Sequence, residues 1–304
     1  MAASVAAAAC ATAHAGEETQ SMPGTSWWTL AAWCAAALAA IVVVRRASWF
    51  RLLPRVGPAW PLRAEPSVIA FGASFLLAAV GGAATLAAFG VDEVDPLRTS
   101  ALQGLGGHAM QLAVVIAAFA WPGARTRGAT TAVGHGGVHR HPCGHVESAL
   151  LALAVALLAW PVAQAAGGLA GAVELWLGGT RPALGHRTLE AMSASGSGNP
   201  WLWLAIASAT VLAPLAEEFT YRGLLQQGLK ATGLPTTGAI ALTSVLFALV
   251  HWSVLTDGSR ASGLAVLFTL SVAWGLLYER TGRIAAPALA HAAFNAANLV
   301  IAAG

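Results

Sequence analysis

The sequence predicts an all-α fold, a polytopic bundle of about eight transmembrane helices. Three observations carry that expectation. Of the 304 residues 57% are hydrophobic and only 10% are charged, whereas a soluble domain keeps its polar shell with roughly a quarter charged residues. Mean hydropathy is +0.67. The apolar residues also fall into runs of about 20, the length an α-helix needs to cross a bilayer core. This composition excludes a soluble enzyme and a disordered chain. Cys10, Cys34 and Cys143 are too few and too scattered for a disulfide framework.

Taken in order, residues 1–26 form an N-terminal tail. Its first 16 residues hold a short Ala-rich run ending in Ala13-His14-Ala15, which is signal-like but lacks the positive n-region of a signal peptide. Spans are expected at 27–44, 67–90, 100–121, 148–177, 200–215, 236–255, 261–279 and 284–303, separated by polar or Pro/Gly-rich breaks. The fourth is long enough to hide a break near Pro161 or Gly167-Gly168. Gly167 and Gly171 have the small-xxx-small spacing that lets helices approach closely. Trp27, Trp28, Trp121, Trp160, Trp176, Trp201, Trp203 and Trp252 lie beside apolar runs, where amphipathic rings suit the membrane interface. Residues 27–199 thus hold the first helices and a His-rich loop, and residues 200–304 hold the last four.

Orientation follows from the positive loops, which stay in the cytoplasm. With the N-terminus outside, 12 of the 16 Lys and Arg face inward, among them Arg222, and only Arg98, Arg181, Arg187 and Arg260 face outward. The net charge of +3 is therefore a property of membrane loops, not a nucleic-acid signature.

Ionisable groups inside an apolar span are expensive, so each is a functional candidate. Glu217, Glu218 and Arg222 fall at the end of the fifth span, His251 late in the sixth, and His291 and Asn295 within the eighth. His108 and Glu174 read more simply as a packed histidine and an interfacial carboxylate. Pro214 is expected to break the preceding helix and let a new one start. On that new helix Glu218 and Arg222 are an i, i+4 pair, while Glu217 lies about 100° round the axis. One carboxylate is then neutralised and the other is left free to accept a proton from water. Phe247 and His251 share a helix face, as do His291 and Asn295. A base, two imidazoles and an amide are the inventory for hydrolytic acyl transfer: groups that activate water and donors that hold a tetrahedral oxyanion.

At these residues the chain resembles a known family. Glu217-Glu218-x-x-x-Arg222, Phe247-x-x-x-His251 and His291-x-x-x-Asn295 match, in order, three motifs of the CAAX-protease and bacteriocin-processing family of intramembrane endopeptidases. The stretch from Phe268 to Asn295, with Gly275, Thr281-Gly282 and Pro287, is similar to the family's intervening motif. Ser271 stands where members often carry Gly, and Arg283 where a small or polar residue is usual. The resemblance covers residues 200–303, about a third of the chain. It implies an intramembrane endopeptidase in which Glu217 with His251 activates water, and His291 and Asn295 stabilise the oxyanion. Glu218 and Arg222 would organise the helix and Glu217, with Phe247 in a supporting place.

The family is often labelled a metalloprotease, and Glu217, His251 and His291 are three zinc-type ligands. A glutamate mechanism with no metal cofactor is the favoured expectation, because Asn295 as an oxyanion donor accounts for all four residues and no carboxylate dedicated to orienting a zinc-bound His is evident. The chain contains no His-Glu-x-x-His, Gly-x-Gly-Asp or Gly-x-Ser-Gly. A straight sixth span from Thr236 puts His251 about 22 Å along it, far from a base at the inner end of the fifth. Either the helix after Pro214 re-enters the membrane or the span boundaries are misplaced.

A second cluster, His135, His139, His141, Cys143 and His145, has soft-metal ligands but no standard finger spacing in a Gly/Pro-rich loop, and reads as incidental more readily than as a metal sensor. Two readings compete with the enzyme. A membrane immunity or scaffold protein of the same fold would use the polar cluster as helix-packing glue. A transporter would relay protons through it, but no inverted repeat is apparent. The expected partners are the lipid bilayer and a peptide or protein substrate at the membrane, either a membrane-associated or a prenylated one. The expected location is the plasma (inner) membrane, with the site open to the cytoplasm.

Overall fold

The computed structural model describes residues 27–46, 62–90, 95–124, 144–177 and 187–303. Eight helices among them are long and apolar enough to cross a membrane. In chain order they are α1 (Trp27–Arg46), α2 (Ala64–Phe89), α3 (Pro96–Ala120), α4 (His145–Trp176), α6 (Pro200–Ala231), α7 (Thr236–Val250, extended by a 3-10 turn His251–Ser253), α8 (Arg260–Thr281) and α9 (Ala285–Ala303), with a short α5 (Arg187–Ser193) before α6. The chain is a multi-pass integral membrane protein. The tail 1–26 and the loop residues His135, His139, His141 and Cys143 lie outside the described residues. His145, which is described, opens α4 and stands 3.4 Å from Arg283.

In lipid there is little hydrophobic drive between helices, so small side chains and close packing hold the bundle together. α4 is the central post, packed against α1, α8 and α9. Ala152, Ala156, Ala159 and Ala163 recur at helical spacing and form its inner face, set against Leu270, Trp274 and Leu277 of α8 and Ala286, Ala290 and Phe294 of α9. A Cβ on Gly167 would come within 2.6 Å of Val266, so the glycine is what lets α4 meet α8 at that level. α4 is a single helix with Pro161 inside it. Its length hides no break, at Pro161 or at Gly167-Gly168. Trp160 is not interfacial either: its ring packs 4.8 Å from Phe294 within the bundle.

The larger correction concerns α6. Pro214 does not end a helix. The helical path runs from Pro200 to Ala231 through two wide π-type stretches, Ser208–Leu212 and Phe219–Gln226. Proline lacks an N–H and its ring presses on the carbonyl one turn back, and the wider turn just before it absorbs that conflict. With α6 continuous, Glu217 lies about 26 Å from its start and about 21 Å from its end. That is level with His251, about 22 Å along α7. The mismatch in depth arose from a misplaced boundary, and no re-entrant segment is needed. Arg222 likewise belongs inside the bundle and not to the charged loops.

Candidate active site

Glu218 and Arg222 form the i, i+4 pair that their spacing predicts, with the carboxylate 3.0 Å from Nε and both side chains 0% exposed. Two unsolvated charges are tolerated only when held by further polar contacts. Arg222 Nη2 donates to the carbonyl of Ser271 at 3.1 Å and to its hydroxyl at 3.0 Å, and the guanidinium lies 5.2 Å from the centre of the Phe247 ring. Ser271, the departure from the family's usual Gly, is thus half of the clamp on α8.

The second oxygen of Glu218 faces Nδ1 of His291 at 3.0 Å. A carboxylate only accepts, so Nδ1 is the donor and Nε2 is turned the other way. There it faces Glu217, with Nε2 3.9 Å from the carboxylate. Glu217 is 14% exposed and His291 10%. Of the two neighbouring acids, one is fully buried as an anchor and the other opens into the site. The sequence reading had Glu218 and Arg222 organising Glu217. The pair lies on the helix that carries Glu217, and the contact Glu218 makes beyond that helix is with His291.

His251 sits in the turn that ends α7. Its Nδ1 donates to the Phe247 carbonyl at 2.6 Å, which in the neutral ring leaves Nε2 as an acceptor. The Phe247 ring lies between the two imidazoles, with centroids 4.8 Å from His251 and 6.0 Å from His291. Trp274 of α8 stacks on the other side of His291 at 6.4 Å. Tyr221, edge-on to Phe247, Phe71 and Phe75, closes the apolar wall behind the carboxylates.

Asn295, one helical turn beyond His291 on α9, meets the irregularity in α6. At the first π-type stretch the Ala213 N–H donates to the Ser208 carbonyl, one residue further back than in an α-helix, and Pro214 has no N–H to give. The Ala209 carbonyl therefore lacks its helical partner, and Asn295 Nδ2 donates to it at 2.8 Å. An amide carries two N–H groups, and that bond uses one of them.

Two observations bear on the zinc alternative, in opposite directions. Among the described residues no three His, Cys, Asp or Glu side chains are grouped to hold a metal ion. One sequence argument against zinc also falls, because Glu218 is a carboxylate that orients a His, as a zinc site would require. Below the site Glu279 ties α8 to α6, accepting from Gln226 and Gln227, each at 2.8 Å, and pairing with Lys230. Sequence reasoning missed this clasp, whose only trace is the run Gln226-Gln227-x-x-Lys230. His108 bonds Gln111 at 3.1 Å, and Glu174 accepts from the Ala261 N–H at 3.4 Å, away from the cluster.

Two carboxylates, a guanidinium and an imidazole thus meet at mid-depth in the helical bundle of an integral membrane protein. Residues 199–297 match the family model described as Type II CAAX prenyl endopeptidase Rce1-like. That match is consistent with the CAAX-protease and bacteriocin-processing family that the motifs resemble, and it supports an intramembrane CAAX-type endopeptidase. It spans the helices that carry Glu217, His251, His291 and Asn295. No curated protein and no solved structure matches the chain.

Proposed function

We propose that the protein hydrolyses a peptide bond of a membrane-associated or prenylated-type substrate, with Glu217 as general base. The observation that carries this reading is the contrast between adjacent acids: Glu218 locked by Arg222 and His291, and Glu217 open to the site beside His291. Water lies between Glu217 and His251, whose Nε2 accepts one hydrogen bond while the carboxylate takes the proton. The hydroxide attacks the scissile carbonyl. Its oxygen becomes an oxyanion held by the His291 Nε2–H and the spare N–H of Asn295. Glu217 then returns its proton to the leaving amine. For His291 to donate from Nε2 while Nδ1 also donates, the ring is an imidazolium, and with Glu218 already paired to Arg222 its counter-charge is Glu217 and then the oxyanion.

The 3.9 Å approach of His291 to Glu217 favours one variant of this scheme. A single water about 2.8 Å from each fits to one side of the line joining them, so a neutral His291 would share the nucleophile and His251 would serve the oxyanion side. Both forms use Glu217 and neither uses a metal. The cytoplasmic orientation suggested by the basic loops gives the site an inner-face opening at the plasma (inner) membrane.

The test is comparative proteomics of membranes carrying the native chain or Glu217→Gln. Substrates that accumulate uncleaved with the variant support a protease. An unchanged phenotype with normal expression supports a non-catalytic immunity or scaffold protein. Activity of the purified chain that survives a chelator supports the glutamate mechanism, and activity lost to the chelator and restored by zinc overturns it.

A further inference from the structure

Beyond Glu218 the helix period lines up a further row of polar groups. On α6, Glu218, Arg222, Gln226 and Lys230 recur at i, i+4, and on α8 Ser271, Gly275 and Glu279 do the same. The two rows meet rung by rung. Arg222 bonds Ser271, Gln226 Nε2 donates to the Gly275 carbonyl at 3.4 Å and to Glu279 at 2.8 Å, and Lys230 pairs with Glu279. The line breaks once, between Arg222 and Gln226. Arg222 turns Nε to Glu218 and Nη2 to Ser271, and Gln226 uses Nε2 on α8. Arg222 Nη1 and Gln226 Oε1, a donor and an acceptor on adjacent turns, are buried and have no hydrogen-bond partner among the described residues.

α7, packed against both helices, brings two more such atoms to the same level. Ile240 stands at Gly275, where a Cβ would meet it at 3.1 Å and Gln226 Oε1 at 2.9 Å. Phe247 stands under the Arg222 guanidinium, 5.2 Å away. Thr243 and Ser244 lie between these two, within about 60° of the Ile240 direction at 100° per residue. Each is 1% exposed, and neither hydroxyl has a partner among the described residues. Gly275 keeps side-chain bulk of α8 out of this level. In a lipid-embedded interior unpartnered polar atoms are costly, and buried ones are bonded to protein or to ordered water. The missing partner has to accept from a guanidinium and donate to an amide oxygen. An anion cannot donate, and a cation is repelled by Arg222. Water does both, and internal waters make about three bonds to otherwise unpartnered groups. We infer that an ordered internal water sits between α6, α7 and α8, accepting from Arg222 Nη1, donating to Gln226 Oε1 and bonded to the Thr243 and Ser244 hydroxyls. It closes the break, so that one hydrogen-bonded line runs from Lys230 and Glu279 through Arg222 and Glu218 to His291. The inference is independent of the proposed hydrolysis.

The experiment pairs a structure of the full chain in lipid, at a resolution that shows ordered water, with thermal melting of two variants. The structure should show a water within about 3.2 Å of Arg222 Nη1 and Gln226 Oε1. Thr243→Val and Ser244→Ala should each lower the melting temperature by a few degrees, because each takes a partner from the bound water. In a dry gap the sign changes, since replacing an unpartnered hydroxyl by an apolar group of the same shape is neutral or stabilising. A dry gap in the structure, a melting temperature unchanged or raised in either variant, or an anomalous signal from bromide at the site would overturn the assignment.

Discussion

The Glu218 carboxylate stands 3.0 Å from Nδ1 of His291, so the acid beside the proposed base fixes the imidazole in place and is itself fixed by Arg222. Glu218→Gln removes the charge that balances a fully buried guanidinium. Breaking a buried pair by neutralising one partner costs about 3–5 kcal/mol, so this variant should melt well below the native chain and lose activity with its fold. Thermal unfolding in detergent, followed by tryptophan fluorescence, checks it.

Glu217→Gln should behave differently. Among the described residues Glu217 has no arginine ion-pair partner, and it is partly exposed, so the amide should fold like the native chain while hydrolysis falls about 10²–10⁴-fold, the usual worth of a general base. Activity within threefold of native at equal folded protein would remove Glu217 from the base role.

Much of this was legible in the sequence, and the failures have one physical origin. Span number and type follow from hydrophobic length, and the i, i+4 pairing of Glu218 with Arg222 follows from helix period. Pro214 was misread because local chemistry gives it two outcomes, a break or a wide turn, and only packing chooses. In lipid an unpaired carbonyl must find a partner, so Asn295 on α9 and Pro214 on α6 solve one problem together. Neither residue announces that alone. The partner of His291 was missed for a related reason: Glu218 already had Arg222 within its own helix, and sequence shows no second neighbour 73 residues away.

Pro214→Ala tests that account. Restoring an N–H and removing the ring relieves a helix-interior proline that costs about 3 kcal/mol or more, so stability should rise or hold. The α-helical bond pattern would return, the Ala209 carbonyl would regain a backbone donor, and Asn295 would be released. Turnover should therefore fall, by up to the roughly 10²–10³-fold that an oxyanion donor contributes, and Asn295→Ala should add little further loss on top. Additive losses in the double variant would show that Pro214 and Asn295 act separately.

Ser271 offers a cleaner stability measurement. Its hydroxyl accepts from Arg222 at 3.0 Å, and hydrogen bonds to charged groups contribute about 1.5–3 kcal/mol. Ser271→Ala should lose about that much while keeping measurable activity, since the Ser271 carbonyl still holds Nη2. Gly275→Leu should be worse, because even its Cβ would stand 2.9 Å from Gln226 Oε1 and 3.1 Å from Ile240. Gln226 would then have to leave Glu279, and the clasp between α6 and α8 would open. Gly282 caps α8 in a left-handed turn at φ +66°, so Gly282→Val should also destabilise, through the backbone and not through packing.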